Sequence, residues 1–196
     1  MLSSTVCLSK HHPPPTKPTN KNKQQKQLFY ISDTLLKMTS VALSEEDLRH
    51  NLQQYGIDIV DYADLSPASF DDNGLGAIVV YHTNPNNSGV GHWTLVTKRS
   101  GNNYEHFDSL AINGGRLGDL QRFWGLPTHD PSRWVGTKWT VNKKPLQNRR
   151  TNTCGRWIIW RVLFLRLTLT AFVKMCKMVG VNDKFLATKL TMMRSP

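Results

Sequence analysis

Between Gly155 and Gly180 the chain has neither proline nor glycine, and it passes through Trp157-Ile158-Ile159-Trp160 and Val162-Leu163-Phe164-Leu165. By length and lack of breakers this stretch reads as one buried helix reaching to Gly180. A polar loop, Leu146-Gln147-Asn148-Arg149-Arg150-Thr151-Asn152-Thr153, leads into it through Cys154-Gly155. Asn152 or Thr153 can act as N-cap, which sets Cys154 in the first turn. Unpaired N–H groups and the helix dipole favour an anion there, so a thiolate has a lowered pKa and is the better nucleophile at neutral pH. A core cysteine is the plainer use of such a residue taken alone, and the rest of the chain decides between the two.

With 196 residues, 39% of them hydrophobic, the chain suffices for one domain with a real core plus a tail, but not for two large domains. Cys7, Cys154 and Cys176 are the three cysteines, too few for a disulfide framework and without a CxxC pair for zinc, so a reducing, intracellular compartment is the default. No apolar signal core opens the chain, and Arg161 and Arg166 interrupt its long apolar run; a soluble protein without a membrane span is expected. The same two arginines do not share a helical face, which predicts a central helix less buried than its apolar residues suggest.

The net charge of +11 is unevenly spread: Arg133 to Pro196 holds fourteen Lys/Arg against a single acid, Asp183, whereas Met38 to Ser132 holds five against twelve. A basic region of this kind fits a polyanion, foremost nucleic acid, and equally a plain solvated surface.

Residues 1–40, with His11-His12-Pro13-Pro14-Pro15 and a Lys/Asn/Gln run, cannot bury enough apolar surface to offset ordering entropy and read as a disordered basic tail. The folded pattern begins just after Met38, a candidate start, and 41–196 reads as the single folded domain. Ser44-Glu45-Glu46-Asp47 opens a capped helix carrying Leu48, Leu52 and Tyr55 up to Gly56. Gly56 to Phe70 reads as an irregular connection with Pro67 in it. Gly76 to Tyr81 is a buried strand, residues 82–90 a loop, and His92–Lys98 with Asn103–Asp108 a hairpin. Its turn, placed near Ser100, puts His92 opposite Asp108 or within a residue or two of it. Gly114-Gly115 reads as a loop, Leu117, Leu120, Phe123 and Trp124 as a small helix, and Val135, Trp139 and Val141 as a further strand.

A cysteine nucleophile needs a base, a group to orient that base, and donors for the oxyanion. His92, Asp108, Gln147 and Cys154 supply these in order. The imidazole takes the thiol proton and returns it to the leaving group, Asp108 fixes the tautomer, and the Gln147 amide points where the Cys154 backbone N–H points. Each residue has a duller use, as a strand start, a turn residue or a solvated loop side chain; the joint pattern is what carries the reading.

Gly91-His92-Trp93, Phe107-Asp108-Ser109, Gln147 seven residues before the cysteine, and Cys154-Gly155 together resemble the adenovirus-type (adenain-like) cysteine proteases and their relatives, the ubiquitin-like-protein proteases. Ser44–Leu48, Tyr62-Ala63-Asp64-Leu65 and Phe70 also look like the N-terminal segment of that family, and the similarity in pattern spans Val41 to Cys176. Asp108 is the acid of the ubiquitin-like-protein branch, where adenain has Glu, and Arg156 stands where the family is commonly apolar. The resemblance implies an α+β, papain-like domain with the cysteine-bearing central helix packed on a mixed β-sheet. It also implies a virus-encoded maturation endopeptidase acting on viral precursors at Gly-containing sites, in the host nucleus or the virion, with Trp93 walling the substrate channel. It implies DNA, an activating peptide or both as cofactors, with no metal or small molecule; yet no cysteine lies between Phe107 and Gln147, where the family links that peptide. A protease acting on ubiquitin-like conjugates, an effector-type acyltransferase, and a non-enzymatic basic nucleic-acid-binding virion protein are the rival readings.

Overall fold

Ala77-Ile78-Val79-Val80 is apolar without alternation, as a strand must be when both of its faces are covered. In the computed structural model, which describes residues 41–70, 76–84, 91–112 and 134–190, that run belongs to one five-stranded open sheet. Its strands are β1 (Asp58–Asp61), β2 (Ala77–Thr83), β3 (Gly91–Ser100), β4 (Asn103–Phe107) and β5 (Lys138–Val141), ordered as numbered. The central pairs β2/β3 and β3/β4 are antiparallel and the outer pairs β1/β2 and β4/β5 parallel. With helices α1 (Glu45–Leu52), α2 (Cys154–Leu163), α3 (Leu169–Val179) and α4 (Asp183–Lys189), the architecture is α+β with a mixed sheet. The tail at 1–40, the loop at 85–90, Gly114-Gly115 and the helix at Leu117–Trp124 lie outside the described residues.

One sheet face, carrying Ala77, Val79, Trp93, Leu95 and Phe107, packs on Leu48 and Leu52 of α1, on Trp157, Ile158 and Val162 of α2, and on Phe172 of α3. The other, carrying Ile78, Val80, Val96 and Tyr104, is covered by Tyr62, Leu65 and Phe70. Trp157 is fully buried at the centre of the larger cluster; truncating such a residue to alanine costs about 3–5 kcal/mol.

Helix α1 starts as expected. The Ser44 hydroxyl accepts from Asp47 N, and Asp47 Oδ2 accepts from Ser44 N at 2.9 Å, a reciprocal box that satisfies two orphan donors. The connection expected to be irregular from Gly56 to Phe70 instead contains β1 and a 3₁₀ turn, Pro67–Phe70. Acids at both ends of Asp58-Ile59-Val60-Asp61 hid a short edge strand, where charge is tolerated because one side faces solvent. At the far side, Val135 is not in a strand: it is 79% exposed, and β5 begins only at Lys138. Strand β2 likewise runs two residues beyond Tyr81, to Thr83.

The single helix expected from Cys154 to Gly180 is two helices, broken between Leu163 and Leu169. Two guanidiniums, that of Arg161 buried and that of Arg99 half-buried, do what a C-terminal glycine commonly does. Arg161 donates to Phe164 O at 2.7 Å and Leu167 O at 3.0 Å, while Arg99 donates to Leu165 O at 2.8 Å and Leu167 O at 2.7 Å. Both guanidiniums pair with Glu105, whose other oxygen accepts from Leu169 N at 2.9 Å, and the Thr168 side chain caps α3. The expectation of a less buried central helix is thereby overturned: Arg156 and Arg161 are both buried, because each finds acceptors inside, and only Arg166, in the break, is exposed.

Candidate active site

Cys154 is the first residue of α2, 7% exposed, with Thr153 as N-cap. The Thr153 hydroxyl makes no capping bond to the helix; it donates to Asp183 Oδ1 at 2.5 Å instead. The first-turn amides are therefore not claimed by the residue best placed to claim them, and the positive end of the helix stays directed at the sulfur. Residues 41–44 lie across this helix start as a strap. Arg156 Nη1 holds Val41 O at 2.8 Å, and Trp93 Nε1 donates to Leu43 O at 3.3 Å. A Cβ at Gly155 would sit 3.0 Å from Leu43 Cβ, so Cys-Gly at this point lets the strap approach.

His92 reaches the site from the second residue of β3. The hairpin turn is one residue later than expected, at Gly101-Asn102, and Leu95 pairs with Phe107. Continued past the end of β4, that register sets Thr94 opposite Asp108, which makes Asp108 a diagonal neighbour of His92 on one face. His92 Nε2 and Asp108 Oδ1 are 2.7 Å apart, both side chains buried. Asp108 also does the turn work of the duller reading, accepting from Leu110 N and Ile112 N at 2.8 Å each. With Nε2 so occupied, the ring's remaining side-chain partner is the Cys154 thiol.

Burial opposes charge on all three groups, and pairing overrides it. Desolvation alone lowers the His92 pKa, but the hydrogen bonds to Asp108 and Cys154 lift it to about 10. Asp108 is pushed up by burial yet held at about 2 by the His92 bond and charge. The Cys154 thiol is likewise raised by burial but brought below its ordinary value by His92 and by the backbone N–H groups of Trp93 and Gly155. The arrangement favours a thiolate–imidazolium pair next to a carboxylate. Cys176 is its opposite, buried in the core with a pKa pushed up to about 11 despite Trp160 and Arg161 nearby; it is a packing residue.

Gln147 is 5% exposed on the loop before α2. Its Nε2 donates to Thr151 O at 2.7 Å and its Oε1 accepts from Ser109 Oγ at 2.6 Å. Ser109 O also takes Leu146 N at 2.8 Å and Gln147 N at 2.9 Å, so the residue after the acid positions the glutamine. Asn142, which sequence reasoning passed over, clamps the Asp108 backbone from the position just after β5: Oδ1 accepts from Asp108 N at 3.0 Å and Nδ2 donates to Asp108 O at 2.6 Å. Its signal was weak, one polar residue between an apolar strand and Lys143-Lys144-Pro145.

Trp93 lines a cleft of about 390 Å³ with Leu43, Ser44, Glu45, Tyr81, Gly91, Asn152 and Cys154. Its ring packs on Tyr81 at 4.3 Å between centroids, and a Cβ at Gly91 would lie 2.1 Å from that tyrosine ring. Glycine before His92 is thus what lets Tyr81 close over the cleft. All five residues singled out from the sequence, His92, Trp93, Asp108, Gln147 and Cys154, fall in this one region; Ser109, Asn142, Tyr81 and the strap are additions. Among the described residues no group of three or more His, Cys, Asp or Glu could hold a metal ion, and no helix is long and apolar enough to cross a membrane. Comparison of the chain with protein-family models and with curated proteins gives no match.

Proposed function

We propose that this chain is a cysteine-type endopeptidase with an adenain-like, papain-like α+β domain, in which Cys154 is the nucleophile. The single observation that carries the reading is the buried His92 ring, held by Asp108 at 2.7 Å and set beside the thiol, whose pKa it lowers, at the start of a buried helix. The Cys154 thiolate attacks the scissile carbonyl, and the oxyanion forms towards the first-turn amide and the Gln147 side chain. The C–N bond breaks as the imidazolium gives its proton to the departing amine, leaving a thioester on Cys154. Neutral His92 then takes a proton from water, the resulting hydroxide expels the thiolate, and acid product and ion pair are restored.

The cleft beside Cys154 supports a preference for glycine, because Trp93 and Tyr81 narrow it and a residue without a Cβ passes such walls by sterics alone. Peptides cut after Gly-Gly, with an apolar residue two positions before the pair, are the substrates we assign. Viral precursors in the host nucleus or virion are the natural setting we propose; conjugates of ubiquitin-like proteins present the same chemistry to the same residues.

Nucleic acid is the second partner we propose, and burial is what supports it. Of the Lys/Arg described between 134 and 190, Arg156 and Arg161 are buried and the other ten are exposed, while the one acid, Asp183, is buried and hydrogen-bonded. The exposed surface of this region is therefore of one sign. An acyl-type thiol probe tests the enzymatic reading: labelling should vanish in Cys154→Ala and persist in Cys176→Ala. Labelling that survives in Cys154→Ala would leave the non-enzymatic, nucleic-acid-binding reading.

A further inference from the structure

Asp183 is the one acid of the basic C-terminal third, and it has no part in the reaction described above. Its carboxylate nevertheless faces four donor groups. Oδ1 accepts from Thr153 Oγ1 at 2.5 Å and from the Trp157 indole at 2.8 Å; Oδ2 accepts from Asn148 N at 2.7 Å and lies 3.0 Å from Thr151 Oγ1, whose one proton it shares with Asn148 O at 2.8 Å. Thr153 and Trp157 belong to the start of α2, whereas Asn148 and Thr151 are the two ends of the turn that follows Gln147, closed by Thr151 N to Asn148 O at 3.1 Å. The carbonyl of that same Thr151 holds the Gln147 amide at 2.7 Å.

We propose that Asp183 is the positioning residue of the oxyanion site, fastening the loop that carries Gln147 to the helix that carries Cys154. It does so in two ways. It sets the separation between the side-chain donor and the first-turn backbone donors, which belong to different segments and share no other described side-chain carboxylate. It also draws the Thr153 hydroxyl away from the first turn, where an N-cap threonine ordinarily accepts from an amide. A hydroxyl released from Asp183 would compete with the oxyanion for the same N–H groups. This inference rests on the endopeptidase reading.

The carboxylate is chemically required. Each oxygen faces one donor that cannot become an acceptor, the indole N–H for Oδ1 and the Asn148 backbone N–H for Oδ2. An asparagine must turn its own NH₂ towards one of them whichever way it lies.

The test compares wild type, Asp183→Asn and Thr151→Val in three measurements: hydrolysis of a Gly-Gly peptide, affinity for the corresponding peptide aldehyde, and alkylation of Cys154 by iodoacetamide. The aldehyde forms a tetrahedral adduct with an oxyanion, whereas alkylation at carbon forms none and reads the thiolate alone. For Asp183→Asn, kcat should fall about 100-fold with KM little changed, aldehyde affinity should fall in parallel, and the alkylation rate should fall far less, because His92 still opposes the burial of the thiolate. Thr151→Val keeps Asp183 and its other three partners and removes only the hydroxyl shared between Asp183 and Asn148 O, so it tests the idea even if Asp183→Asn fails to fold; it should lower kcat and aldehyde affinity about tenfold. Wild-type kcat and aldehyde affinity in both variants would overturn the proposal, as would alkylation falling in step with kcat. A wild-type protein that alkylates rapidly but neither hydrolyses the peptide nor binds the aldehyde would overturn the endopeptidase reading itself.

Discussion

Replacing Asp108 by asparagine removes one charge from the site and almost no volume. Three donors converge on its carboxylate, His92 Nε2 at 2.7 Å and Leu110 N at 2.8 Å on Oδ1, and Ile112 N at 2.8 Å on Oδ2. An amide has one acceptor oxygen, so its NH₂ must face either Ile112 N–H or the histidine ring and Leu110 N–H. The side chain cannot withdraw, because Asn142 grips the Asp108 backbone at both its N–H and its carbonyl. Replacing the acid of such a His–acid pair by its amide leaves the wrong tautomer on the ring and costs kcat about 10⁴-fold in the Ser-His-Asp case; kcat should therefore drop about 100-fold or more. The pH dependence has a definite sign. Asp108 is the first of the two groups that hold His92 up near 10 against burial, so its loss lowers the histidine pKa and weakens the imidazolium that brings the Cys154 pKa down. The acid limb of the activity profile should move up towards the ordinary thiol value of about 8.5, and the alkaline limb should move down from about 10. Steady-state hydrolysis of a Gly-Gly peptide across the pH range measures both. An Asp108→Asn enzyme with the wild-type kcat and the wild-type acid limb would refute the reasoning.

Gln147→Ala should lower kcat about 100-fold with little change in KM, as removal of one oxyanion donor does, and steady-state kinetics on the same peptide checks it. A peptide pair differing only as Gly-Gly or Ala-Ala at the scissile site should be cut at very different rates by wild type and at more similar rates by Trp93→Ala; equal rates in wild type would show that the walls made by Trp93 and Tyr81 do not select. Nucleic-acid affinity should be independent of sequence, and its logarithm should fall linearly with log salt at a slope of about −0.9 per phosphate neutralised. Affinity insensitive to salt would remove the exposed lysines and arginines of residues 134–190 from consideration as its cause.

Local rules sufficed wherever one residue type imposes one geometry. The Ser44 capping box, the unbroken apolar strand at Ala77–Val80 and the Ser100-Gly101-Asn102 turn all formed where side-chain chemistry demanded, within a residue or two. Breakers mislead in the opposite case, because a stretch without Pro or Gly after Gly155 still holds two helices. The helix ends at Leu163 through tertiary contacts, with Arg99 arriving from β3 to take the carbonyls of Leu165 and Leu167. Such a stop leaves no local trace beyond a buried arginine. The family resemblance singles out Gln147, and the hairpin brings His92 within a residue or two of Asp108. The residues that hold those groups were not legible, since Asn142 acts across strands and Asp183 across about thirty positions of chain. An acid standing alone among fourteen Lys/Arg was a signal noticed only as charge.

The central claim is that His92 holds Cys154 as a thiolate. Alkylation of Cys154 by iodoacetamide as a function of pH, in wild type and His92→Ala, measures that directly, with Cys176 as an internal silent control because burial pushes its thiol up to about 11. In wild type, fast alkylation should persist below the ordinary thiol range, since His92 and the backbone N–H groups of Trp93 and Gly155 bring the Cys154 pKa down. In His92→Ala, burial is no longer opposed by the imidazolium, and reaction near neutrality should become slow, recovering only as the pH rises. Equal rates for the two proteins on the acid side of neutrality would contradict the account.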